Sequence, residues 1–83
     1  MFSRHIALQA AEDMERPVVD TALLLAEAHA AASEQCVIRQ QDAVRRLQEN
    51  GGRSTEAERL LSELDARRRS CRDALDWLRA ALD

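Results

Sequence analysis

The chain has 83 residues, a net charge of −3, 46% hydrophobic residues, and only two glycines and one proline. This length supports one small domain, because a chain of this size buries only about 60% of its unfolded surface. The scarcity of turn residues and β-formers excludes a β-sandwich or barrel, and the acidic balance argues against a general binder of nucleic acids or anionic membranes.

The composition favours helices almost throughout, since Ala, Leu, Glu, Arg and Gln are strong helix formers. A short N-terminal helix is predicted over about residues 3–15, and a long helix follows over about 17–50. Pro17 fits the first turn of that helix, where its missing N–H costs nothing. A further helix is predicted over about residues 55–82.

The junction between the two long helices carries the signals of a helix end and a helix start. Gly51 follows Asn50, at the left-handed position that ends many helices and needs no side chain. Thr55 is then the predicted N-cap, with Glu58 closing a capping box. A loop this short makes an antiparallel hairpin the natural arrangement. The sequence therefore predicts an all-α protein, a long antiparallel helical hairpin with a short N-terminal helix, formed by residues 1–83 as a single helical domain.

Each long helix has a predicted seam of residues at alternating three- and four-residue spacing. The seam of the first long helix consists of Val19, Leu23, Ala26, Ala30, Ser33, Val37, Gln40, Val44 and Leu47. The seam of the second consists of Ala57, Leu60, Leu64, Arg67, Cys71, Ala74, Leu78 and Ala81. Folding the chain back at the glycines opposes positions whose numbers add up to about 104.

Three members of the predicted seams are polar, namely Ser33, Gln40 and Arg67. A buried polar layer of this kind costs stability but fixes the register and the orientation of partners. The alternative is that Arg67 lies at a gap in the bundle and binds an anion. The structural interpretation is favoured, with the head of Arg67 reaching toward a nearby glutamate such as Glu34 or Glu63.

One seam does not account for all the apolar surface, because Leu61, Leu75 and Leu82 widen the stripe on the last helix and the first long helix is apolar nearly all round in its N-terminal half. The predicted N-terminal helix can cover part of this surplus with its apolar residues Phe2, Ile6, Ala10 and Met14, and a second copy of the chain can cover the rest in a dimeric helical bundle. The predicted interface consists of Leu24, Leu25, Ala28, Ala31, Ile38, Leu75 and Trp77. The function predicted first is non-catalytic protein–protein interaction, as an oligomeric scaffold, adaptor or regulator that forms a homodimer or binds another protein.

A cluster of arginines between Arg67 and Arg72 suggests a second hypothesis, the binding of nucleic acid or another anion. Acidic residues are interleaved with these arginines, and pairs such as Asp65–Arg69 and Asp42–Arg46 have the i,i+4 spacing of helical ion pairs. A solvated, salt-bridged helix face is therefore the favoured interpretation, and nucleic-acid binding stays the alternative.

A third hypothesis is a small all-helical enzyme, in which Arg67, Gln40 and a histidine would meet in a pocket. Glycine-rich phosphate loops, nucleophile elbows and paired-histidine metal motifs are absent from the sequence, so no catalytic residue, cofactor or metal is predicted. Cys36 and Cys71 fall roughly one turn apart across the hairpin; a disulfide is conceivable, but two reduced thiols are favoured. No apolar run is long enough to cross a membrane, and a cytoplasmic location is expected.

The sequence resembles a group of short uncharacterised bacterial proteins in three places. These are the stretch from Ala26 to His29, the pair Arg39-Gln40, and the turn segment from Gly52 to Leu61. That group carries A-E-x-H, then R-Q, then G-x-x-T-x-x-A-E-x-L-L. The spacing from Gly52 to Thr55 matches, whereas Ala57 follows Thr55 by only two residues. The resemblance covers about residues 22–78; it implies a helical hairpin and no established activity.

Overall fold

The computed structural model describes residues 16–82, which form two α-helices and no β-strand. Helix α1 spans Arg16–Glu49 and helix α2 spans Thr55–Leu82, within one residue of the bounds predicted from the sequence. The two helices pack against each other as a hairpin. The predicted N-terminal helix over residues 3–15 lies outside the described residues. Neither α1 nor α2 has the length of uninterrupted apolar sequence that crossing a membrane requires.

Helix α1 ends in a Schellman motif, as the Asn-Gly-Gly sequence predicts. Gly51 adopts a left-handed conformation with φ of 70°, which a residue without a side chain reaches at no steric cost. Its N–H donates to the carbonyl oxygen of Gln48 at 3.2 Å, and the N–H of Gly52 donates to that of Leu47 at 2.8 Å. The two bonds occupy carbonyls that would otherwise lack a partner at the helix end.

Helix α2 begins one residue earlier than the predicted capping box requires. The N–H of Glu58 donates to the carbonyl oxygen of Ser54 at 2.8 Å, so Ser54 is the N-cap and Thr55 is already the first helical residue. Glu58 therefore falls one position too late to close a box with the cap. Its carboxylate instead accepts a hydrogen bond from the side-chain amide of Gln48 at 3.1 Å and links the two helices beside the turn.

The side of α1 that faces α2 follows the predicted spacing. Val19, Ser33, Val37 and Val44 are buried, and the seam positions between them are half-buried. Leu47, the last predicted member, is exposed. The interior of the hairpin is thin, because no large side chain among residues 16–82 is fully buried.

The seam of α2 differs from the prediction at positions 60, 67 and 74, whereas Ala81, the last predicted member, is buried as predicted. Leu75 is only 3% exposed, whereas Leu60 is 44% exposed and both Arg67 and Ala74 lie on the surface. The observed seam consists of Ala57, Leu61, Leu64, Arg68, Cys71, Leu75 and Leu78. Spacing alone does not separate the two series, because both alternate three- and four-residue steps and share positions 57, 64, 71 and 78. The observed series places the larger apolar side chains in the crevice, and burial of apolar area favours it.

Polar contacts between the helices agree with the predicted register. Arg68 lies 4.0 Å from Glu34, and Arg79 lies 3.9 Å from Glu27. Their residue numbers add up to 102 and 106, close to the value of about 104 expected for this hairpin. The side-chain amide of Gln40 also reaches α2 and donates to the carbonyl oxygen of Ala57 at 2.9 Å, although these two residue numbers add up to only 97.

The turn provides a direct test of backbone conformation. Replacing Gly51 with alanine is expected to lower the free energy of unfolding by about 1–2 kcal/mol, because an L-residue is strained at positive φ. Gly52→Ala is the matched control, since its added Cβ meets Leu47 only at ordinary contact distances of 3.4 and 3.5 Å. Urea unfolding followed by circular dichroism measures both variants. Equal destabilisation by the two would contradict the assignment of Gly51 to the left-handed position.

A second test decides which side of α2 packs against α1. Leu75→Ala is expected to lower the free energy of unfolding by about 2–5 kcal/mol, the usual cost of emptying a buried leucine site. Leu60→Ala, the same substitution at a predicted seam position that the structure exposes, is expected to cost much less. The opposite order in thermal or urea unfolding would restore the seam predicted from spacing alone.

Candidate functional site

The side of α1 that faces away from α2 is apolar over its N-terminal half. We define the outer apolar face as Leu24, Leu25, Ala28, Ala31 and Ile38, all of which are exposed. Leu24 is 67% exposed, Leu25 54% and Ile38 50%, although these side chains normally lie inside proteins. Because these residues recur every three, four or seven positions, they form one contiguous strip.

Val18 extends this surface, although it is not among the residues predicted for the interface. It is 52% exposed. It lies seven residues before Leu25 and therefore on the same side of α1. Both side chains line an apolar depression of about 400 Å³, together with Pro17, Thr21 and Ala22. The seven-residue spacing from Val18 through Leu25 to Ala32 is the signal that would have identified it.

Two residues predicted for the same interface do not belong to this surface. Leu75 is buried in the crevice between α1 and α2, so it stabilises the hairpin and is not available to a partner. Trp77 is half-buried on α2 and lies about 200° around the helix from Leu75. The prediction placed both in one patch with residues of α1, whereas helix geometry puts them on opposite sides of α2.

A charged groove runs along one side of the crevice, next to the outer apolar face. It has a volume of about 300 Å³ and is lined by Glu27, Ala30, Ala31, Glu34, Arg72, Leu75 and Arg79. Small alanine side chains form its floor on α1, and leave room between the acids of α1 and the arginines of α2. The acids of this groove form only long ion pairs with α2, compared with about 2.7–2.9 Å for a close charge-assisted hydrogen bond. Glu27 lies 3.9 Å from Arg79 across the groove, and Glu34 lies 4.0 Å from Arg68, which is outside the groove lining.

The arginine cluster of α2 is divided by a single carboxylate. Asp65 accepts hydrogen bonds from Arg68 at 2.7 Å and from Arg69 at 2.6 Å. The hydrogen bond from Arg68 holds the pKa of the Asp65 carboxyl below its ordinary value, against the opposing effect of desolvation. Arg67 and Arg72, in contrast, form no ion pair within 4 Å among the described residues. Asp65 is therefore shared by two arginines of the cluster and balances one of their two positive charges.

A similar local arrangement occurs near the end of α1. Asp42 pairs with Arg45 and with Arg46, and Arg45 also pairs with Glu49 at 2.8 Å. The hydrogen bond from Arg45 lowers the pKa of Asp42. These arginines belong to a solvated helix face with its own counter-charges.

The predicted polar layer is only partly assembled. Ser33 is buried, but its hydroxyl donates to the carbonyl oxygen of Ala30 on its own helix at 2.8 Å. The side chain of Gln40 donates a hydrogen bond to the backbone of α2 at Ala57. Arg67 is exposed, and Arg68 occupies the seam position instead. Arg68 interacts with Glu34, which sequence analysis named as the partner of an arginine one position earlier.

The groups considered for chemistry do not gather at one point. Cys36 and Cys71 are free, half-buried thiols. His29 is exposed and lies roughly 16 Å along α1 from Gln40, so these two residues of the enzyme hypothesis are not neighbours. Within residues 16–82 there is no group of three or more His, Cys, Asp or Glu side chains that could hold a metal ion.

Comparisons with known proteins were made against family models, curated proteins and solved structures. None of them matches this chain. The resemblance to short bacterial helical-hairpin proteins therefore stays a prediction from sequence motifs. Evidence about function comes from the exposed residues of the hairpin itself.

The charge arrangement on α2 can be tested by titration. Arg68→Gln is expected to raise the pKa of Asp65 toward its ordinary value, because the hydrogen bond that lowers it is lost. Because the pKa of Asp65 is lowered in the folded state, its pair with Arg68 stabilises the fold at pH values above the ordinary carboxyl pKa. This stabilisation is lost as the pH falls through the pKa that Asp65 has in the folded protein. Carboxyl NMR titration measures the pKa. Arg67→Gln is the control, and an equal shift in that variant would contradict the assignment.

Proposed function

We propose that this chain is a non-catalytic interaction protein that self-associates through the outer apolar face of α1 and acts as an oligomeric scaffold. The observation that carries the proposal is the exposure of Leu24, Leu25 and Ile38 on a contiguous strip. Soluble monomers rarely display large contiguous apolar patches, and such patches normally mark interfaces.

The thin interior of the hairpin supports the same proposal. A pair of helices can bury only one side of each, and the buried residues of α1 and α2 are mostly small or medium in size, such as Val19, Val37 and Ala81. Small chains with a limited core are often stabilised by an additional element, and oligomerisation is one of the common solutions. Packing two hairpins together would bury the outer apolar face inside a four-helix bundle.

The alternative functions have less support. The arginine cluster offers no continuous basic surface, because Asp65 pairs with Arg68 and Arg69. Nucleic-acid binding through phosphate contacts needs several uncompensated cations. The enzyme hypothesis required Arg67, Gln40 and a histidine in one pocket, and Gln40 is instead bonded to the backbone of α2.

The proposal predicts a dimer whose stability depends on the outer apolar face. Sedimentation equilibrium at micromolar concentration should give twice the mass of the 9.3 kDa chain. Leu24→Glu should weaken the dimer roughly 100-fold or more, because two leucines lose about 1.5–3 kcal/mol each of burial and two charges are placed in the interface.

Leu60→Glu is the matched control, since Leu60 is also an exposed leucine but lies on α2, outside the outer apolar face. It should leave the dimer constant nearly unchanged. A wild-type chain that stays monomeric at these concentrations, or equal weakening by the two variants, would refute the proposed function.

A further inference from the structure

The outer apolar face contains a row of residues with internal symmetry. Leu24, Ala31 and Ile38 are spaced by seven residues each, so they lie in one line along α1. A large side chain stands on either side of a small one at equal distances. If a second copy of α1 lies antiparallel with Ala31 facing Ala31, each Leu24 meets an Ile38 of the other copy. A surface that matches itself in this way is what a two-fold dimer interface requires.

The charged groove lies level with the centre of this row. Arg72 is opposite the region around residue 32 of α1, given the register of about 104, and Ala31 itself lines the groove. Arg72 has no carboxylate within 4 Å among residues 16–82, although it lines the same groove as Glu27 and Glu34. Arg72 is thus a groove arginine that neither of the two groove acids engages within 4 Å, at the level of the proposed symmetry point.

An antiparallel copy would bring acids to that position. With Ala31 on the axis, facing residue numbers add up to about 62, so the partner's Glu34 lies level with residue 28 and the partner's Glu27 level with residue 35. Both positions are about one helical turn, roughly 5 Å, from the level of Arg72. An arginine side chain spans this distance. The pairs that these acids form within their own chain are long, which leaves their oxygens able to accept a second donor.

We propose that two copies of this hairpin pair antiparallel across a two-fold axis at Ala31, and that Arg72 of each copy receives a carboxylate from the partner's Glu27 and Glu34. This inference rests on the proposed self-association and specifies its geometry. The partner's acids then supply Arg72 with the close counter-charges that Glu27 and Glu34 of its own hairpin do not provide within 4 Å. The apolar row supplies the contact area, and the two arginines fix the direction and register of the pairing.

A residue on a two-fold axis faces its own copy, so a cysteine at position 31 tests the geometry directly. Helix axes about 8–10 Å apart with Cα atoms on a radius of ~2.3 Å leave roughly 3.4–5.4 Å between facing Cα atoms, which overlaps the range that a disulfide bridges. The full chain with Cys36→Ser and Cys71→Ser would carry Ala31→Cys and be oxidised with glutathione disulfide. Non-reducing electrophoresis should show a covalent dimer.

Ala66→Cys in the same background is the control, because Ala66 is also exposed but lies on α2 about 180° from the crevice. It should form mixed disulfides and little covalent dimer. A dimeric chain that cross-links no better through position 31 than through position 66 would overturn the two-fold axis and leave the proposed self-association standing. A monomeric chain would refute both.

Charge reversal tests the arginine without altering the cysteines. Arg72→Glu should raise the dimer dissociation constant at least tenfold, while Arg67→Glu, an exposed arginine without an ion pair among the described residues, should change it less than threefold. Adding Glu27→Arg and Glu34→Arg to Arg72→Glu should restore most of the affinity. Equal effects of Arg72→Glu and Arg67→Glu, or no restoration, would show that Arg72 does not pair across the interface.

Discussion

The structure depends on one constraint, that two helices packed side by side can bury only one face of each. The crevice between α1 and α2 buries Val19, Val37, Val44 and Leu75, and it half-buries the leucines at the other seam positions. Apolar residues on the remaining sides of the two helices must lie outside it. On α2 the outward positions are mostly charged, whereas on α1 they include leucine and isoleucine. The hairpin therefore resembles half of a bundle, with its surplus hydrophobic area concentrated on one helix.

Much of this architecture could be predicted from the sequence, because the signals involved are local. Gly51 marks the helix end through backbone sterics alone, and the C-terminal half of the α1 seam is clear because the neighbours of Gln40 and Val44 are polar or small. Spacing alone could not decide which of the two possible seams of α2 faces α1, because leucines occupy both neighbouring positions at 60 and 61. Side-chain volume at position 75 and the acids around Arg68 would have resolved it. The N-cap was misplaced for a similar reason, since Ser54 and Thr55 are both good caps.

The sequence allowed the exposed apolar residues of α1 to be predicted, but not the positions of Leu75 and Trp77 on α2. The residues of α1 stand out because a long apolar face has no place inside a hairpin. Leu75 was assigned to the same patch because composition counts apolar residues without showing which side of a helix they occupy. Arg72 gave no signal in the sequence, since it is one of several arginines among acids. Its distinctive position depends on the ion pairs of the folded chain, in which Asp65 engages Arg68 and Arg69 instead.

The distribution of charge follows from the same constraint. Most ion pairs of the described residues join positions three or four apart on one helix, and each such exposed pair contributes only about 0.2–0.5 kcal/mol. Such pairs stabilise individual helices and carry no information about how helices are arranged. Arrangement must come from contacts between helices, which here are the apolar crevice, Gln40 and the long pairs of Glu27 and Glu34. An arginine placed among those long pairs, beside an apolar row with a small residue at its centre, is therefore better suited to orient a second hairpin than to stabilise its own.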